Sequence, residues 1–271
     1  MELNIGKHDC TELWDGVLYK ALSHYPKVTD YEMKDIIDFI TYNRMYHRKV
    51  EIKADNAEIL RYVEHEMLDK EKYSKVKRPE LISECRACPI EKGCDTEYIC
   101  HTAPLENAVK IFDCGSLLSA LKARNVPVEV LMKESSNAAN DTADMFKYIM
   151  FAWGNCQAGD RLVTERTIER IPTTEDLGEN FVAGVRFFFR YDILETHPGA
   201  VHDGFLPIKV KDEVALKDWV YAIVVPEEYR KVIEPHVPDN LKDKTYYLDR
   251  NHCDIWQWSE KVFRFVKETE H

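Results

Sequence analysis

Cys85, Cys88, Cys94 and Cys100 follow the pattern Cys-x2-Cys-x5-Cys-x5-Cys, which gathers four of the chain's eight cysteines on one short segment. A Cys-x2-Cys unit lets two sulfurs reach one centre from a tight turn. The longer spacers let the chain return to complete a tetrahedron or a cubane. Thiolates select zinc or an iron–sulfur cluster over magnesium or calcium, and both remain open here, as a structural centre rather than a redox one. His101, directly after Cys100, could replace one sulfur as a ligand. Cys10, Cys114, Cys156 and Cys253 are scattered and read as small buried hydrophobes.

A second group of chemical residues begins where the cysteines end. His101 and Thr102 precede Asn107 and Gly115 in the run HTAPLENAVKIFDCGSLLS. An imidazole and a hydroxyl can fix a ribose or a carboxamide by directional hydrogen bonds, and a glycine lets backbone approach a phosphate closely. Tyr148–Asn155 (YIMFAWGN) is an aromatic-rich run. Near the C-terminus, Glu260 precedes Val262, Phe263, Phe265 and Val266 in a run that reads as the start of a strand.

The His-x5-Asn-x3-Ile-x3-Gly-x-Leu spacing from His101 to Leu117 resembles the first NAD-binding segment of ADP-ribosyltransferases, in particular the DarT-type DNA-modifying toxins. That resemblance implies NAD contacts at His101 and Thr102, supporting positions at Asn107 and Gly115, a pocket lined by Tyr148–Asn155, and Glu260 as the catalytic acid, whose carboxylate would orient the ribose 2′-hydroxyl, stabilise positive charge on the sugar or take a proton from the acceptor. It also implies a bacterial-type enzyme that cleaves the nicotinamide–ribose bond of NAD and passes ADP-ribose to an acceptor, nucleic acid among the candidates. It covers roughly residues 99–268. Arg124 is the only arginine between Gly115 and Trp153 and fits poorly where the family has one. The cysteine loop, with Pro89 after Cys88, is similar to the cluster-binding loops of auxiliary iron–sulfur domains, although zinc suits it equally. The alternative to an enzyme is a non-enzymatic zinc- or iron–sulfur-binding regulator.

The elements that must position these residues are expected to form an α+β protein in three parts. Residues 1–80 read as a helical region. Leu13, Trp14, Val17, Leu18, Ala21 and Leu22 recur at helical spacing, Thr29-Asp30 starts a second stripe and Asp55-Asn56 a third. Residues 81–100 form the cysteine-rich metal or cluster loop. Residues 101–271 form an ADP-ribosyltransferase-like domain with a mixed, mostly antiparallel sheet. Its strands are expected at Val182–Tyr191, Phe205–Val210, Trp219–Val225, Thr245–Leu248 and Glu260–Val266, with helices over Pro104–Arg124 (the pattern breaking at Cys114-Gly115), Thr142–Trp153 and Pro226–Ile233.

The 271 residues, 45% of them hydrophobic, suffice for a real core. With 37 basic against 48 acidic residues the net charge is −11, which repels nucleic acid and anionic membranes over most of the surface. The one basic patch is Lys70–Arg78, the candidate nucleic-acid contact. No apolar run is long enough to span a bilayer and no leader is visible, so a cytoplasmic setting with reduced thiols is expected. His197, His202 and Asp203 share a turn-rich loop that reads as solvated. No Walker, GxGxxG or GxSxG motif is present.

Overall fold

The computed structural model describes residues 1–8, 11–14, 17–45, 47–76, 97–134, 145–201 and 207–269. The N-terminal region is not purely helical. It forms a four-stranded sheet of β1 (Glu2–Gly6), β2 (Glu12–Trp14), β3 (Val17–Ala21) and β4 (Glu51–Ala54) in the order β2-β3-β1-β4. β1 runs parallel to both β3 and β4, whereas β2 and β3 are antiparallel, with Trp14 opposite Val17. The expected helix over residues 13–22 is therefore two strands. Asp15-Gly16, a strong hairpin signal, stands between them in the sequence, and Val17–Ala21 alternates buried Leu18 and Lys20 with half-buried neighbours.

The next two helices start where their caps predict. α1 spans Asp30–Met45 and α2 spans Ala57–Glu66, with the Asn56 side chain accepting from Glu58 N at 2.8 Å. Both helices pack on one face of the sheet, where Leu3, Ile5, Leu18, Met33, Ile36, Ile40, Ile59 and Val63 form a core. Val201 belongs to that same core and Tyr148 packs against it. Arg48 donates to the Ala200 carbonyl, and the Tyr42 hydroxyl to the Glu195 carbonyl at 3.3 Å.

Glu32, at the start of α1, accepts from Ser23 N at 2.7 Å and Thr29 N at 2.8 Å, and from both hydroxyls. Burial alone would raise its pKa, but these bonds outweigh burial and hold the carboxyl below its ordinary value of 4.5. The stabilisation is therefore present above the unfolded-state pKa and lost as pH falls through the folded one. Glu32→Gln should flatten the acid limb of a stability–pH curve while leaving its slope near neutrality unchanged.

The larger sheet has five strands in the order β14-β13-β9-β5-β8. They are β5 (Tyr98–Ala103), β8 (Ala152–Trp153), β9 (Val185–Arg190), β13 (Ala222–Pro226) and β14 (Thr245–Leu248). Every pairing in it is antiparallel except β13 with β14. The expected mixed, mostly antiparallel sheet is thus present. Two smaller antiparallel sheets join β6 (Ser116–Leu118) to β12 (Glu213–Ala215), and β7 (Tyr148–Met150) to β11 (Lys209–Lys211) and β10 (Ala200–Val201). A strand, β7, occupies part of the span expected to be the helix Thr142–Trp153.

Because side chains alternate along a strand, the large sheet has two differently covered faces. On one, Ile99, Ala103, Phe187, Phe189, Ile223 and Val225 meet α3 (Leu105–Cys114) through Ala108 and Phe112. The short helices α4 (Ala120–Arg124), α5 (Val128–Glu134), α7 (Tyr191–Leu194), α8 (Leu216–Trp219) and α9 (Arg230–Ile233) lie in the connections. On the other face, Tyr98, Cys100, Phe188, Ala222 and Val224 meet α10 (Ile255–Glu268) through Ile255, Trp258, Val262 and Val266. α6 (Ala158–Ile168) also lies over this face, against β5.

α10 corrects the strand expected at Glu260–Val266. Its buried residues recur at intervals of three and four, and Asp254 and Gln257 form a capping box at its start. Asp254 Oδ1 accepts from Trp256 N at 3.0 Å and Gln257 N at 2.8 Å. Asp254→Ala should cost about 1 kcal/mol, read as a lower urea midpoint with an unchanged slope. Among the described residues, no helix is long and apolar enough to cross a membrane.

Candidate functional site

β5 carries most of the residues singled out by the sequence, and its alternation divides them. His101 faces the α3 side of the sheet and is half-buried. Its ring meets Phe151 edge to face, 6.1 Å between centroids, and its Nδ1 lies 3.0 Å from the Met150 carbonyl oxygen. A carbonyl only accepts, so the neutral ring must carry its proton on Nδ1, leaving Nε2 as a lone-pair acceptor. Nε2 has no hydrogen bond among the described residues. Burial pushes the His101 pKa below its ordinary value, the bond to Met150 opposes that, and Arg166 adds to the lowering. The result is an uncharged imidazole of fixed tautomer, suited to accept a hydrogen bond or a proton.

Residues of the aromatic-rich run Tyr148–Asn155 adjoin this histidine. Phe151 also packs edge to face on Phe189, and Trp153 meets Tyr191 at a 40° tilt, 5.4 Å between ring centroids. Asn107 is exposed in the first turn of α3. Gly115 closes that helix in the left-handed conformation at φ 72°, where a glycine is the natural residue, and its carbonyl accepts from Leu216 N at 2.9 Å. That is a helix-capping role, at the point where the helical pattern breaks in the sequence.

Thr102, the neighbour of His101, points to the opposite face. Its side chain fills the space left by two glycines: a Cβ on Gly184 would lie 2.5 Å from Thr102 Cγ2, and one on Gly159 would overlap Thr102 Oγ1. The hydroxyl is thus enclosed against α6 rather than turned towards His101. Glu260 lies on a different element. It is exposed on α10, the helix covering the face opposite His101, and pairs with Arg264 Nη2 at 2.6 Å. Gln257, Lys261, Phe265 and Glu268 surround it in a shallow surface depression. The structure therefore brings His101 to the aromatic segment but does not bring Thr102 or Glu260 to either.

Cys100 faces the α6 and α10 layer, packed with Phe188, Ile255 and Trp258. Burial pushes its thiol up to about 12, so it stays protonated, and Thr102 Oγ1 lies 3.8 Å from its sulfur. Cys85, Cys88 and Cys94 lie outside the described residues, among which no group of three metal-ligating side chains occurs. In the basic patch, Lys72 pairs with Glu66 at 2.6 Å, while Lys77 and Arg78 lie outside the described residues. His197 accepts from Gly199 N at 3.0 Å and meets the Trp219 ring at 4.9 Å; His202 and Asp203 are outside the described residues.

The most strongly built polar group was missed from the sequence. Arg186, the second residue of β9, and Asp160, in the first turn of α6, are both fully buried. Arg186 Nε donates to Asp160 Oδ2 at 2.9 Å and Nη2 bonds the same oxygen; Nη1 reaches Ser259 Oγ at 3.1 Å. Asp160 Oδ1 accepts from Gly184 N at 2.8 Å, and Ser259 Oγ donates to the Asn155 carbonyl at 3.1 Å. The coulombic attraction of Asp160 offsets the burial that would lower the Arg186 pKa, and holds it raised. Next to this network, Trp258 Nε1 and Asn155 Oδ1 are buried without a partner among the described residues. The available signal was Arg186 itself, a cation inside the apolar run VRFFF that only a buried acid could stabilise.

No family model matches the chain, and no curated protein or solved structure is significantly similar to it.

Proposed function

We propose that the chain is an NAD-binding protein of ADP-ribosyltransferase-like type, with His101 and the aromatic segment at its ligand site and no catalytic part for Glu260. One observation carries this reading: His101 is fixed as a neutral tautomer by Met150 and set against Phe151, with Nε2 unbonded among the described residues. A hydroxyl or amide group of a nucleotide could donate to that nitrogen. Glu260 is exposed on the far side of the sheet and engaged with Arg264, so in this reading Glu260 is not the acid that would promote transfer from NAD bound at His101. Its net charge of −11 and the Lys72–Glu66 pair favour a small ligand over nucleic acid.

Titration calorimetry with NAD tests this directly. Wild type should bind, and His101→Ala should weaken binding about tenfold, the loss of one hydrogen bond worth about 1.4 kcal/mol. Glu260→Gln should bind as wild type does. No heat with wild-type protein sinks the reading, and nicotinamide release that disappears in Glu260→Gln would restore that residue as the catalyst. The cysteine loop is tested separately by metal analysis: about one zinc, or a cluster absorbance, per chain would favour a structural centre there.

A further inference from the structure

We draw no further inference here: the strongest candidate, the buried polar layer at the start of α6 where Trp258 Nε1 and Asn155 Oδ1 lack partners beside the Asp160–Arg186 pair, belongs to the network already described, and nothing in the structure shows what would meet those two atoms.

Discussion

Replacing Asp160 by alanine should lower the unfolding free energy by about 3–5 kcal/mol, since it strands the Arg186 guanidinium at zero exposure without its counter-charge. The same carboxylate also holds Gly184 N, so the change removes the link between α6 and the start of β9 as well. A loss of that size is a large share of the roughly 5–15 kcal/mol that holds a typical domain together. The paired replacement Asp160→Leu with Arg186→Met should recover most of it, because the desolvation cost disappears with the charges. Urea unfolding of the two variants beside wild type measures this. If Asp160→Ala costs under about 1 kcal/mol, the pair is not the clamp that its burial indicates.

Gly159→Ala should be the next most damaging single change, although alanine is ordinarily the better helix former by about 1 kcal/mol. The added methyl would overlap both Oγ1 and Cβ of Thr102, and that residue is already confined by Gly184. Overpacking of this kind costs about 1–3 kcal/mol or more. Because the obstacle includes Cβ, Thr102→Ala should not rescue Gly159→Ala, whereas Thr102→Gly should restore the space. A stable Gly159→Ala protein, or rescue by Thr102→Ala, would mean that α6 can slide away from β5. The same experiment bears on the ligand reading, because a Thr102 needed only for packing should leave NAD affinity unchanged in any variant that still folds.

Local signals were legible where a short stretch of sequence settled the matter. Thr29-Asp30 and Asn56 mark the starts of α1 and α2, and Gly115 marks the end of α3. The β-branched and aromatic runs around β9, β13 and β14 lie where they were expected. What escaped depended on periodicities that coincide over short spans, or on contacts between distant segments. Leu13, Trp14, Val17, Leu18 and Leu22 fit a helix and a hairpin equally well until Asp15-Gly16 is given weight. The apolar residues after Glu260 alternate over a few positions, but from Ile255 to Val266 the helical period prevails, and the Asp254–Gln257 box was there to be read. Asp160 and Arg186 are 26 residues apart and carry no shared motif. The His101-Thr102 pair shows a different difficulty. Adjacent letters on a strand belong to opposite faces, so a dipeptide that matches as text is divided in space.

The shared packing of Val201 and Tyr148 with the N-terminal helices has a practical corollary. A fragment that began at residue 97 would present the Val201 side chain and the Tyr148 ring bare to water, and would leave the Ala200 and Glu195 carbonyls without Arg48 and Tyr42. Such a fragment would be prone to associate through that uncovered strip. Residues 1–76 and 97–269 are thus better regarded as one cooperative body than as two separable modules, and the proposed ligand titration is best made with both present.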